Sequence, residues 1–223
     1  MNKILWMAVW SFSLLLASCT SVDNAENAVP EFEVSSIASL PPESGTFLND
    51  GNFLTDWNIL GPFRAPEKPA AFHEEQIAGE STLNGLRRAP KGTRWHVLRF
   101  SNDAEDAIPG LIDFSGRISG KCVSPSIFYA CATLKADSEM RDLSLRIGSC
   151  GKVKVWINGV TVYAYEGKRR MFRLDEDSVG GITLKKGMNR IVLKYMDNDG
   201  EYDRERKFSF RFSDEQGRPV QIK

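Results

Sequence analysis

The sequence Lys152-Val153-Lys154-Val155-Trp156-Ile157-Asn158-Gly159-Val160-Thr161-Val162-Tyr163 alternates polar and apolar residues on both sides of an Asn-Gly pair. An Asn-Gly pair supplies the two positive-φ residues of a type I′ turn, whose twist matches that of the flanking strands. The segment therefore predicts a β-hairpin. Side chains alternate between the two faces of a strand, so Val153, Val155 and Ile157 are expected on one face and Lys152, Lys154 and Trp156 on the other.

The chain on either side of this hairpin contains further short apolar alternations that are separated by turn residues. They occupy residues 57–60, 95–100, 127–135, 143–147, 181–184, 189–195 and 207–213. In the last of these, Phe208, Phe210 and Phe212 share one face. Strands at this spacing predict an all-β, two-layer antiparallel β-sandwich over residues 51–223. Only residues 72–86 have enough Glu, Gln and Ala to suggest a short helix or a long loop.

The composition excludes several classes of protein. The 223 residues include 29 Lys and Arg against 29 Asp and Glu, so no global field attracts the chain to nucleic acid. The two histidines, His73 and His96, are too few for a multi-histidine metal site. The sequence contains no Gly-x-Ser-x-Gly elbow, phosphate loop or dinucleotide fingerprint, and we predict that the chain is not an enzyme.

The N-terminal residues predict export and lipid attachment. Residues 1–18 have a single positive charge followed by an apolar run that is too short to span a membrane, which is typical of a signal peptide. Leu16-Ala17-Ser18-Cys19 resembles the bacterial lipobox, which implies cleavage before Cys19 and acylation of that cysteine. The alternative is an ordinary signal peptide with a coincidental cysteine. Residues 19–50 carry acidic residues but no Lys or Arg and are expected to form a flexible tether.

These N-terminal residues predict a lipoprotein of the cell envelope. It would be anchored in the outer membrane by its lipid alone and would face either the periplasm or the cell surface. In such a compartment disulfides persist. Cys122, Cys131 and Cys150 allow at most one internal bridge, and three pairings are open. Because Cys131 lies within an apolar strand, where a thiol behaves as a small hydrophobe, we favour a bridge between Cys122 and Cys150.

Six motifs in this order together resemble the galactose-binding-like jelly-roll domains. They are Asp56-Trp57-Asn58-Ile59-Leu60-Gly61-Pro62-Phe63, Tyr129-Ala130-Cys131-Ala132-Thr133, Leu145-Arg146-Ile147-Gly148-Ser149, the hairpin at 152–159, Asp175-Glu176-Asp177, and Leu184-Lys185-Lys186-Gly187-Met188-Asn189-Arg190. The resemblance implies a β-sandwich of the kind that serves as a carbohydrate-binding accessory module. The chain departs from it in two places. Cys150-Gly151 replaces an acidic turn, and Met188 replaces a Trp as a tolerated core substitution.

Sugar recognition generally requires an aromatic ring beside planar polar groups. The residues that meet this description follow the hairpin and include one carboxylate: Tyr163, Tyr165, Arg169, Arg170 and Asp175. We predict that they contact a ligand; the alternative is a solvated basic turn between strands.

A second polar segment holds Asp197, Asp199 and Glu201 around a glycine turn. Their oxygens could supply part of a calcium site, and an acidic hairpin tip is the alternative. We expect no cofactor other than such a structural calcium ion.

The function predicted from these residues is that of a non-catalytic, lipid-anchored envelope protein whose sandwich binds carbohydrate or a glycoprotein. The alternative is a structural or assembly lipoprotein that uses the same sandwich to bind a protein partner in the envelope. Neither hypothesis involves nucleic acid.

Overall fold

The computed structural model describes residues 51–65, 69–99, 108, 110–115, 118, 125–197 and 205–222. The predicted signal peptide, Cys19 and the tether lie outside these residues, as do Cys122, Asp199 and Glu201. No helix within the described ranges has the length and apolarity needed to cross a membrane.

The described residues form ten β-strands and two short 3-10 helices. The strands are β1 (Asp56–Arg64), β2 (Arg94–Arg99), β3 (Ile112–Asp113), β4 (Ser126–Ala136), β5 (Met140–Ser149), β6 (Lys152–Ile157), β7 (Val160–Tyr165), β8 (Asp177–Leu184), β9 (Gly187–Met196) and β10 (Lys207–Ser213). The 3-10 helices are Pro69–Phe72 and Glu80–Thr82. The strands make a six-stranded sheet, in the order β2-β1-β4-β9-β6-β7, and a four-stranded sheet, in the order β3-β10-β5-β8. Neighbouring strands are antiparallel, which confirms the predicted all-β sandwich.

The predicted hairpin is present as β6 and β7. Asn158 has a φ of 52° and Gly159 a φ of 86°, which are the two positive values that a type I′ turn requires. Ile157 pairs with Val160 at the turn, and the register shifts once between Val155 and Trp156. Such a shift bends the strand locally.

The main core lies between the two sheets and is rich in aromatic residues. Phe208, Phe210 and Phe212 all have no exposed surface, which confirms that they share the inner face of β10. The Trp57 ring meets the Phe208 and Phe210 rings edge-on, at centroid distances of 5.1 and 5.6 Å. Trp57 Nε1 donates to Leu54 O at 3.0 Å, so its one polar atom is satisfied within the core. Met188, in contrast, is 39% exposed, so the prediction that it is a core substitution is wrong.

A second hydrophobic cluster lies on the opposite, outer face of the six-stranded sheet. It is covered by residues 69–90, which we call the strap. This segment is a long loop that contains the two short 3-10 helices, in agreement with the short helix or long loop predicted for residues 72–86. Phe72, Ile77 and Leu83 of the strap are buried against outward-facing residues of the sheet, including Cys131 and Trp156. The central strands of the large sheet, β1, β4, β9 and β6, are therefore buried on both faces, whereas the edge strand β7 stays partly exposed.

Candidate functional site

The loop of residues 166–176 connects the two sheets along one side of the sandwich. It follows β7, the edge strand of the six-stranded sheet, and leads into β8, the edge strand of the four-stranded sheet. All five predicted ligand residues lie in this loop or in β7. The loop is thus the place where the predicted site can be tested against geometry.

Arg170 is the centre of this loop. Its guanidinium lies over the Tyr165 ring, 3.8 Å from the ring centroid. The same guanidinium forms ion pairs with Asp177 and, at 3.2 Å, with Glu176. Its Nε also donates to Ser149 O at 3.0 Å. Arg170 is therefore a fixed, planar group with 15% of its side chain exposed, instead of the solvated cation of a basic turn.

Tyr163 and Asp177 bridge the two edge strands directly. Tyr163 Oη donates to Asp177 Oδ2 at 2.5 Å. Burial alone would raise the pKa of Asp177, but hydrogen bonds from Arg170 and Tyr163 outweigh it and hold that pKa below its usual value. Burial and the neighbouring carboxylate raise the pKa of Tyr163. This carboxylate is consequently ionised and the phenol neutral at physiological pH.

The structure brings Tyr163, Tyr165 and Arg170 together but separates the other two predicted residues. Arg169 lies 3.8 Å from Glu205, measured from Nη2 to Oε2. Asp175 has a φ of 52° and turns to the outer face of the four-stranded sheet. There its carboxylate accepts two hydrogen bonds from Arg211, one of them from Nε at 3.0 Å.

The rest of the loop is held by close backbone packing. A Cβ at Gly148 would lie 2.0 Å from Arg173 O, so only glycine lets the loop cross β5 at this point. Arg170 N donates to Cys150 O at 3.1 Å. The Tyr165 ring is in contact with Gly167 as well as Arg170, and its Oη donates to Lys168 O at 2.7 Å. What the loop offers to a ligand is therefore its polar groups and not an open aromatic face.

Asp197, of the predicted calcium site, is a buried partner of Arg206. Its Oδ2 accepts hydrogen bonds from Arg206 Nε at 3.0 Å and Nη2 at 2.7 Å, and its Oδ1 accepts one from Ser126 N. Asp199 and Glu201 fall outside the described residues, so the site as a whole stays a prediction. Within the described ranges, no group of three or more His, Cys, Asp or Glu side chains could hold a metal ion.

The disulfide between Cys122 and Cys150 also stays a prediction, because Cys122 is outside the described residues. Cys150 is buried at the end of β5, with its Sγ 3.9 Å from Glu205 Oε2. Cys131 is a buried thiol in the second hydrophobic cluster, as its strand position indicated.

A polar cluster that the sequence did not indicate lies beneath the strap. Lys194 projects from β9 with no exposed side-chain surface, and its Nζ donates to Glu80 Oε2 at 3.0 Å. It also donates to Glu74 O at 2.6 Å. Tyr129, on the neighbouring strand β4, donates its hydroxyl to the same Glu80 oxygen and accepts a hydrogen bond from Gln76 N. The strap is thus attached to the sheet through one carboxylate.

The low dielectric beneath the strap shifts the pKa values of these groups. Burial lowers the pKa of Lys194 even though Glu80 favours its charged form. Burial and the Glu80 carboxylate both raise the pKa of Tyr129. The hydroxyl therefore remains a hydrogen-bond donor over the whole physiological range.

These observations define the chain as a two-sheet antiparallel β-sandwich protein. Protein-family models and curated protein sequences contain no match to it. Among solved structures, the chain is similar to β-glucosidase from Kluyveromyces marxianus in complex with glucose, with 9% identity and a TM-score of 0.43. The similarity covers 79% of this chain and 18% of that chain. For a selenomethionine-labelled crystal of the same enzyme the values are 11% identity, a TM-score of 0.38, and coverage of 70% and 14%.

These matches contradict the prediction that the chain is not an enzyme, because both matched chains belong to β-glucosidases. The chain spans less than a fifth of their length. At this level of similarity the matches carry no argument about which residues act, and no activity of those enzymes is transferred to this chain.

Proposed function

We propose that the protein is a lipid-anchored component of the cell envelope whose β-sandwich binds carbohydrate at the loop of residues 166–176. The observation that carries the proposal is the fixed position of Arg170. Because this guanidinium is held against an aromatic ring and two carboxylates, it fixes the loop, and the polar groups of the loop can bind neighbouring hydroxyl groups with little loss of conformational freedom. Sugars present such hydroxyl pairs around their rings.

The groups available to a sugar are the partly exposed ones of this loop, which we call its rim. Glu176 keeps 23% of its side chain exposed and Arg169 keeps 28%. The Glu176 carboxylate accepts hydrogen bonds, and the Arg169 guanidinium donates them. Met171, which is 82% exposed, adds an apolar surface in the same loop. The combination of a donor, an acceptor and an apolar contact matches the alternating polar and apolar faces of a pyranose.

A glycan-panel binding assay on the purified protein, with and without calcium, tests this proposal. The Arg169→Ala, Glu176→Ala double variant removes two rim groups and leaves Arg170 and Asp177 in place. The matched control is Glu139→Ala, Arg141→Ala, which removes an exposed ion pair from the start of β5. We expect saturable binding that the first variant loses and the control retains. Failure of the folded wild-type protein to bind any glycan would overturn the proposal.

Lipid anchoring is tested separately, through Cys19. Labelled palmitate should enter the wild-type protein in a bacterial host and should not enter the Cys19→Ala variant. Equal labelling of the two proteins would show that Cys19 is not the acylated residue.

A second candidate function is binding of an envelope protein partner. It is favoured by the exposure of two apolar side chains three residues apart in the loop, Met171 at 82% and Leu174 at 37%. Cross-linking in intact cells, compared between wild type and a Met171→Ser, Leu174→Ser variant, tests it. A partner captured by both proteins equally would exclude this part of the loop as the contact.

A further inference from the structure

The outer face of the four-stranded sheet carries a second group of polar side chains. Leu145, Ile147 and Phe212 point into the core. The residues that alternate with them on β5 and β10 therefore point outward. On this face Arg146 of β5 lies directly opposite Ser178 of β8 on one side and Arg211 of β10 on the other.

Arg146 is half-buried and is held in place by a neutral group. Its Nε donates to Ser213 Oγ at 3.0 Å, and Ser213 is buried. Among the residues that the structure describes, no carboxylate lies within 4.0 Å of the Arg146 guanidinium. Among the described residues, neither Nη1 nor Nη2 of Arg146 has a hydrogen-bond acceptor, so both can donate to an oxyanion.

The neighbouring arginines on this face differ in having a carboxylate each. Arg211 is paired with Asp175, and Arg218 with Asp214 at 2.6 Å. Like charges directly opposite each other on adjacent strands are destabilising. The positive charge of Arg146 beside Arg211 is therefore left for a ligand to balance.

The shape of the face around Arg146 suits a small anion. The loop at Arg173 covers the sheet over Gly148, two residues from Arg146 on β5. On the other side, Gly217 lies close enough that a Cβ there would be 3.0 Å from Arg146 Nη2. Ser144, whose partner on β10 is Ser213, and the exposed Ser178 lie on the same face as Arg146. This part of the face thus presents the Arg146 guanidinium together with the hydroxyls of Ser144 and Ser178, beside the paired Arg211.

We propose that Arg146, with the hydroxyls of Ser144 and Ser178, binds an oxyanion. The chemical class is a sulfate, phosphate or carboxylate group, either free or carried on a larger molecule. Arginine pairs with such groups through two parallel hydrogen bonds, and serine hydroxyls donate to the remaining oxygens. This site uses other side chains than the carbohydrate site proposed above, so neither proposal depends on the other.

Isothermal titration calorimetry of the full chain with sodium sulfate, sodium phosphate and sodium glucuronate tests the proposal. The ionic strength is held constant with sodium chloride. We expect saturable binding of at least one of the three anions. The anion that binds most tightly shows whether the site prefers a sulfate, a phosphate or a carboxylate group. Arg146→Gln should weaken that binding at least about tenfold, since it removes the charged donors. Arg141→Gln is the matched control, because it removes the same charge from an exposed position on the same strand.

A second variant keeps the test valid if Arg146→Gln does not fold. Ser178→Ala removes one hydroxyl from an exposed position and should weaken binding severalfold. Absence of saturable binding in the wild type, or equal binding by wild type and both variants, overturns the proposal. The Arg169→Ala, Glu176→Ala variant should bind the anion normally, so a failure here and a failure of the carbohydrate proposal are distinguishable.

Discussion

Lys194 Nζ lies 3.0 Å from Glu80 Oε2, and this ion pair joins β9 to the strap across 114 positions of the sequence. Both groups are removed from water, and Tyr129 shares the same carboxylate oxygen. The pair therefore replaces the solvation that the two charges lose on folding. Three predictions about stability and one about reactivity follow from this and related contacts.

Removing Glu80 alone should strongly destabilise the protein. Glu80→Met leaves the Lys194 ammonium buried without its counter-charge, which typically costs about 3–5 kcal/mol of the free energy of unfolding. The Glu80→Met, Lys194→Met double variant removes both charges and should regain most of that loss. Urea denaturation of the three proteins measures the difference. A double variant as unstable as the single one would contradict the view that the unpaired charge causes the loss.

Gly148→Ala should destabilise the protein by displacing the 166–176 loop. The added Cβ would lie 2.0 Å from Arg173 O, and overpacking of this kind costs about 1–3 kcal/mol. Gly180→Ala is the control, because the nearest atom to a Cβ there is Ser144 Oγ at 3.8 Å. Chemical denaturation should separate the two variants. Similar stabilities would mean that the loop accommodates the methyl group.

Asp177 should make stability depend on pH on the acid side. Its pKa is lower in the folded protein than in the unfolded chain, so the unfolded chain binds more protons as the pH falls. The stabilisation is complete above the ordinary carboxyl pKa of about 3.9 and is lost as the pH falls through the lowered value. Asp177→Asn should remove this part of the acid dependence. Denaturation curves of wild type and Asp177→Asn, recorded from neutral pH downward, test this prediction. If the free energy of unfolding changes with pH in parallel in the two proteins, the prediction is contradicted.

Cys131 should resist alkylation in the native protein. Burial raises the pKa of its thiol, which suppresses the reactive thiolate, and the strap covers its face of the sheet. Iodoacetamide treatment followed by residue-resolved mass spectrometry should show modification of Cys131 only in denaturant. Labelling at equal rates in native and denatured protein would indicate that the strap opens readily.

The hairpin and the last strand could be predicted because the residues that specify each of them are close together in the sequence. Asn158-Gly159 specifies its own turn, and Phe208, Phe210 and Phe212 define an inner face by alternation alone. The Glu80 and Lys194 pair could not be predicted this way. Charged residues in a polar loop and a strand are normally solvated, and nothing local indicates that a loop will cover that strand.

The candidate site also has a part that could be predicted from the sequence and a part that could not. Tyr163, Tyr165 and Arg170 lie within eight positions of one another, so their proximity in the fold could be predicted, while ligand binding by them stays a prediction. An ideal strand would place Asp175 and Asp177 on the same face. The positive φ at Asp175 breaks that alternation and directs the two carboxylates to different arginines, Arg211 and Arg170.

The position of Arg170 at the side of the sandwich has a consequence for self-association. β7 and β8 are the edge strands of their sheets, and an unprotected edge strand can pair with an edge of another molecule and start aggregation. A chain with a formal net charge of zero gains little protection from long-range repulsion between molecules. The loop that carries Arg170, with charged side chains on both sides of it, lies between these two edges and disfavours the addition of a further strand.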